Sequence, residues 1–144
     1  MKKIVATIVV LAAVIVLGSC GGATSASKSE TQKLAEKSVK CLQDKDYKGY
    51  VDLLYFDEAD QADPEKLAQN KEQLTQLLTE KADASAQKGE ADKMVTDYAF
   101  VSEEVNEDEA TVRMAITDGA NKTDTTDVKL RKDINGDWKV VMNK

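Results

Sequence analysis

The 144-residue chain sets 20 Lys and Arg against 26 Asp and Glu, a formal net charge of −6, and it contains no histidine. Acidity repels phosphate backbones, and no cluster of Lys and Arg is interleaved with aromatics, which argues against a nucleic-acid partner. Without imidazole, His-dependent triads and the usual zinc sites are excluded.

Met1-Lys2-Lys3 opens the chain, and an uncharged apolar run from Ile4 to Leu17 follows. A run of about fourteen residues suits a secretory leader and is too short for a transmembrane helix, which needs about 20. It ends in Leu17-Gly18-Ser19-Cys20, which resembles the lipobox of bacterial lipoproteins: a branched apolar residue, two small residues, then the modified cysteine. Small side chains before the cysteine let an extended backbone enter a peptidase cleft, and the Cys20 thiolate is the nucleophile that takes up the lipid. The resemblance implies cleavage before Cys20, acylation there, and firm attachment by two or three acyl chains. Loss of Lys2 and Lys3 with the leader leaves 18 basic against 26 acidic residues, a mature charge of −8. Residues 20–29, rich in Gly, Ser and Ala, are expected to be a flexible tether. In the Gram-negative sorting rule an aspartate after the cysteine retains the protein in the inner membrane. Gly21 does not match it, so the resemblance implies an outer-membrane anchor. With only Glu30 as a nearby acid, the periplasmic face is favoured over surface display.

Residues 30–144 are expected to form one domain of about 115 residues, enough for a single modest core. Ser29 with Gln32 suggests a capping box, and Leu34, Ala35, Val39, Cys41 and Leu42 recur at helical spacing up to Asp44. With Cys20 acylated, Cys41 has no disulfide partner and is read as a buried, inert thiol. Asp46 caps a second, short helix carrying Tyr47, Tyr50, Val51 and Leu54, expected to end near Asp57, and Asp57 to Asp63 is read as a loop. Asp63-Pro64-Glu65 is a strong start signal for a long helix whose stripe of Leu67, Leu74, Leu77, Leu78, Ala82 and Ser85 runs to Gly89.

Beyond Gly89 the period becomes alternating. A strand is expected over Met94 to Glu104, and Asn106-Glu107-Asp108 turns into a second with Ala110, Val112, Met114 and Ile116 inward. Asp118-Gly119 turns into a third strand, Thr123 to Lys132, with Val128 and Leu130 inward. Asn135-Gly136 reads as a hairpin turn leading into Trp138, Val140 and Met142. The pattern predicts an α+β domain, two shorter helices and one long one packed on a curved four-stranded antiparallel sheet, with the long helix across it.

This order, with Asp46-Tyr47-Lys48-Gly49-Tyr50 after the first helix and the closing Asn135-Gly136-Asp137-Trp138-Lys139-Val140, resembles small bacterial lipoproteins of a lumazine-binding-like family of unknown function. That family falls in the nuclear transport factor 2-like superfamily. The resemblance implies a cone whose pocket serves small ligands, partners or, in isomerase-like and dehydratase-like relatives, catalysis by inward Asp, Tyr or His. Here Tyr47, Tyr50, Tyr98 and Asp97 are the candidate pocket residues, with Tyr55 beside them. A buried aspartate raised in pKa could act as a base and a buried tyrosine could donate to an oxyanion. Tyrosines on amphipathic helices more often pack in the core, which favours a non-catalytic reading. The acid-rich stretches Asp57-Glu58-Asp60-Asp63 and Glu103-Glu104-Glu107-Asp108-Glu109 lack calcium-loop spacing, and no metal or cofactor is expected. The sequence therefore suggests a lipid-anchored binding module for a small ligand or an envelope protein. The alternatives are a cone-pocket enzyme using an Asp/Tyr pair and a structural or regulatory envelope protein.

Overall fold

The structure, a computed structural model, describes residues 28–142. The leader, the lipobox at 17–20 and the tether through residue 27 lie outside the described residues. The helices are α1 (Glu30–Gln43), α2 (Tyr47–Asp52), α3 (Glu58–Gln61) and α4 (Pro64–Gln87), followed by a 3₁₀ turn at Glu90–Lys93. The strands are β1 (Val95–Asn106), β2 (Glu109–Asp118), β3 (Thr123–Lys132) and β4 (Trp138–Val141).

The helix starts are set by side chains that satisfy otherwise orphaned N–H groups. Ser29 Oγ accepts from Gln32 N at 3.0 Å, and Asp46 Oδ1 accepts from Gly49 N at 2.9 Å. Asp63 Oδ1 accepts from Glu65 N and Lys66 N, both at 3.1 Å, with Pro64 at the first helical position. Past the end of α4, Gly89 takes φ +73°, a left-handed turn that costs glycine no Cβ clash.

The sheet is an antiparallel meander in the order β1-β2-β3-β4. Strict alternation sends Ala110, Val112, Met114, Val128, Leu130 and Val140 to one face, and the register sets Val112 opposite Val128 and Leu130 opposite both Ala110 and Val140. Helix α1 lies in this concave face and touches all four strands. Its buried stripe, Thr31, Ala35, Ser38, Val39 and Cys41, closes the core together with Val51 and Leu54. The curved sheet is not closed. Beyond α2 the chain adds a short parallel piece to the free edge of β4, where Tyr55 N donates to Val140 O and Val140 N donates to Leu53 O, both at 2.7 Å.

The α+β class, the four strands and the inward residues of β2 and β3 agree with the sequence reading, whereas Met142, expected to continue the set of Trp138 and Val140, lies past β4 and is exposed. Four further details differ. It is α1 that lies across the sheet, whereas α4 packs on α2 and α3 and buries no residue. Leu74 and Leu78 reach the core only partly, and Leu77 is 45% exposed. The second helix stops at Asp52 because the next residues join the β4 edge, and the expected loop after Asp57 contains the single turn α3. In the last hairpin Asp133 shapes the turn: its Oδ1 accepts from Asn135 N at 2.9 Å and Asp137 N at 3.0 Å. Only Gly136 there has positive φ, at +83°, so a two-residue Asn-Gly turn, which needs it at both positions, is not what forms.

Candidate functional site

Two adjoining depressions share Phe56, which leaves the sheet edge just after Tyr55. One, of about 290 Å³, is a groove along α4 lined by Phe56, Asn70, Gln73, Leu74 and Leu77. The other, of about 220 Å³, lies between α4 and the β3–β4 turn. Its apolar lining is Leu54, Phe56 and Leu67, and its polar lining is Asp52, Gln61, Lys71, Asp133, Asn135, Asp137 and Lys139. We regard this second cleft as the candidate site, because an apolar floor with convergent polar groups is the usual composition of a ligand site.

Sequence-distant elements build it. Lys71, in the first third of α4, reaches Asp52 at the end of α2, Nζ to Oδ1 at 3.1 Å. Gln61 of α3 donates from Nε2 to the Phe56 carbonyl and accepts at Oε1 from Ile134 N at 3.1 Å, tying the α2–α3 connection to the hairpin turn. Asp133 is occupied by its own turn. Of the cleft's charged groups, Asp137 and Lys139 have no side-chain partner among the described residues.

The residues singled out from sequence are placed elsewhere. Asp97 and Tyr98 are neighbours on β1 and point to opposite faces, Asp97 in register with Thr117 and Tyr98 with Ile116. Asp97 is exposed, its Oδ1 accepting from Tyr98 N at 2.9 Å, while Tyr98 packs half-buried against the core. Tyr50 also packs there, and burial pushes its phenol above the ordinary value. Tyr47 is half-buried at the start of α2, and Tyr55 lies beneath Arg131, whose guanidinium carbon is 5.3 Å from the ring centroid. Neither depression is lined by Tyr47, Tyr50, Tyr55, Asp97 or Tyr98. The lipobox residues Leu17, Gly18, Ser19 and Cys20 lie outside the described residues.

Other chemistry is structural in placement. Cys41 is free and buried, and burial, then Asp46, raise its thiol pKa. The Arg113 guanidinium holds Asp127 below the usual carboxylate range through a two-pronged pair, Nε to Oδ1 at 2.8 Å and Nη2 to Oδ2 at 3.2 Å. Among the described residues no group of three or more Cys, Asp or Glu is placed to hold a metal ion, and no helix is long and apolar enough to cross a membrane.

The sequence reading missed the cleft because its residues come from α2, α3, α4 and the last turn, up to 87 positions apart between Asp52 and Lys139. One local signal was available: Asp133 beginning Asp-Ile-Asn-Gly-Asp marks a side-chain-organised turn, the feature that presents Asp137 and Lys139.

Neither a protein-family model nor a curated protein matches the chain. Among solved structures the chain is similar to one from Campylobacter jejuni, described provisionally as a nuclear transport factor 2-like transpeptidase. The two share 22% identity and superpose with a TM-score of 0.56 over 80% of this chain and 100% of that one. The likeness is one of fold, and it establishes the nuclear transport factor 2-like architecture here.

Proposed function

We propose that this chain is a lipid-anchored envelope protein whose domain is a non-catalytic binding module with its ligand in the cleft between α4 and the β3–β4 turn. One observation carries the binding reading: the ten residues lining that cleft offer apolar surface and charged hydrogen-bonding groups but no hydroxyl, thiol or imidazole. A hydroxyl, thiol or imidazole nucleophile therefore has no residue to supply it there, although carboxylate and amine groups are present. The anchored reading is supported by the apolar leader and by Leu17-Gly18-Ser19-Cys20. Gly21 where a retaining aspartate would stand, and Glu30 as the only nearby acid, favour an outer-membrane anchor facing the periplasm.

A transpeptidase, as the Campylobacter protein is described, is the competing reading. The Ser-x-x-Lys spacing of serine acyl-transferases occurs at Ser25 to Lys28 and at Ser85 to Lys88. Ser85 sits in the last turn of α4, where helix carbonyls point outward and disfavour an oxyanion. Lys28 is committed to Glu36, Nζ to Oε2 at 2.6 Å. An Asp97/Tyr98 enzyme is disfavoured by the divergence of those two side chains across β1.

The test expresses the full chain in a bacterial host supplied with a clickable palmitate analogue. The parent should take up label and sediment with membranes, and Cys20→Ser should do neither; equal fractionation of both would end the anchored reading. Mass spectrometry of small molecules co-purifying with the parent and with Leu67→Trp, which fills the cleft, tests the binding module. A bound species lost in the variant supports it, and identical profiles oppose it.

A further inference from the structure

We infer that the cleft selects a small zwitterion carrying an apolar side chain, an amino acid or dipeptide with free ends; this deepens, and rests on, the binding-module reading. The selection arises from which polar groups are still available. Asp52 and Lys71 neutralise each other at 3.1 Å, Asp133 is filled by two turn N–H groups, and Gln61 bridges Phe56 and Ile134. The charged groups that remain are one carboxylate and one ammonium, Asp137 and Lys139, with the neutral amide of Asn135 in the same lining.

Asp137 immediately precedes β4 and Lys139 is the second residue of that strand, and both line the same cleft. A ligand with a single charge would pair one of them and set its own charge against the other. A ligand with an ammonium and a carboxylate can pair both at once, the ammonium on Asp137 and the carboxylate on Lys139, through charge-assisted bonds. Leu54, Phe56 and Leu67 form the apolar part of the lining and offer no side-chain hydrogen bond, so the portion of the ligand facing them should be apolar. A volume of about 220 Å³ falls below the range of about 300–1,000 Å³ that takes drug-sized ligands, which limits the occupant to one or two residues. Three carboxylates against two ammonium groups leave the lining with a net charge of −1, which disfavours phosphorylated ligands.

The probe is L-leucyl-L-alanine, titrated by NMR into the leaderless full chain bearing Cys20→Ser, with the Ile134 amide and the Trp138 indole as reporters. A saturable shift of these signals is expected. N-acetyl-L-leucinamide, which keeps the side chain and lacks both charges, should bind at least tenfold more weakly. Lys139→Met and Asp137→Asn should each weaken the dipeptide by about tenfold with an unchanged unfolding midpoint, since neither side chain has a partner to lose. Equal binding of the capped probe, or unchanged affinity in both variants, overturns the zwitterion assignment. Absence of any saturable shift overturns it as well. If Leu67→Trp nevertheless removes a co-purified molecule, the ligand class alone is wrong; if it removes nothing, the cleft reading falls too.

Discussion

Helix α1 has 14 residues, five of them buried, and α4 has 24 with none. Both begin with an efficient cap and both carry an apolar stripe, although the stripe of α1 is the more sharply segregated from its polar face. What differs is the surface each meets. The concave sheet supplies α1 with Val112, Met114, Leu130 and Val140, whereas α4 has only the short helices α2 and α3 and the 3₁₀ turn. A stripe stabilises in proportion to the apolar area something else covers, not in proportion to helix length.

The largest test of this contrast is Met114→Ala, which removes a side chain at 0% exposure and should cost about 2–5 kcal/mol in urea unfolding. Leu77→Gln on α4 should stay within about 0.5 kcal/mol, and a loss above about 2 kcal/mol would mean that α4 is covered in solution. Next is Thr31→Val, which retains shape but removes a donor at 2.6 Å to the Glu103 carboxylate; a loss of about 1–3 kcal/mol is expected. Gly49→Ala should lower stability by about 1 kcal/mol through loss of the Asp46 cap. The added Cβ would lie 2.2 Å from Asp46 Oδ2, so the usual interior gain of about 1 kcal/mol from replacing helical glycine is forfeited. Amide exchange under native conditions should find Ala35 and Val39 protected near the global limit and the C-terminal half of α4 exchanging first.

Asp127→Asn should show the smallest effect, and it carries a pH signature. Arg113 depresses the folded Asp127 pKa below its ordinary 3.8, so the pair stabilises above that value. The contribution disappears as pH falls through the lowered folded value. Unfolding midpoints of parent and variant should therefore differ slightly at pH 7 and converge in strong acid; a gap that widens toward acid would contradict the pairing.

Much of this fold is legible in the sequence because its signals are local. The caps at Ser29, Asp46 and Asp63 and the alternation of Ala110, Val112 and Met114 follow from adjacent residues alone. The roles of α1 and α4 were misread because the longer leucine stripe was weighed by its length, while the sharper segregation of apolar and polar faces in α1 was the better signal. The cleft was illegible for a different reason. Asp52, Gln61, Lys71 and Asp137 carry no mutual spacing, and only the piece of chain paired to the β4 edge brings them together. Tyr98 and Asp97 attracted notice as chemistry-bearing types, yet strand alternation alone was enough to place them on opposite faces.

The start of α1 bears on how the domain responds to pulling. Ser29 and Thr31 each donate to Glu103 Oε2 at 2.6 Å, so the first residues of the domain are fastened to an edge strand three residues from its end. Tension applied at the N-terminus enters the fold through those two bonds and is shared with β1, which is itself hydrogen-bonded along its length to β2. Peeling α1 away requires breaking the clasp before the helix can unwind. A domain held from that end would keep its shape under load while α4, outside the path of the force, stayed undisturbed.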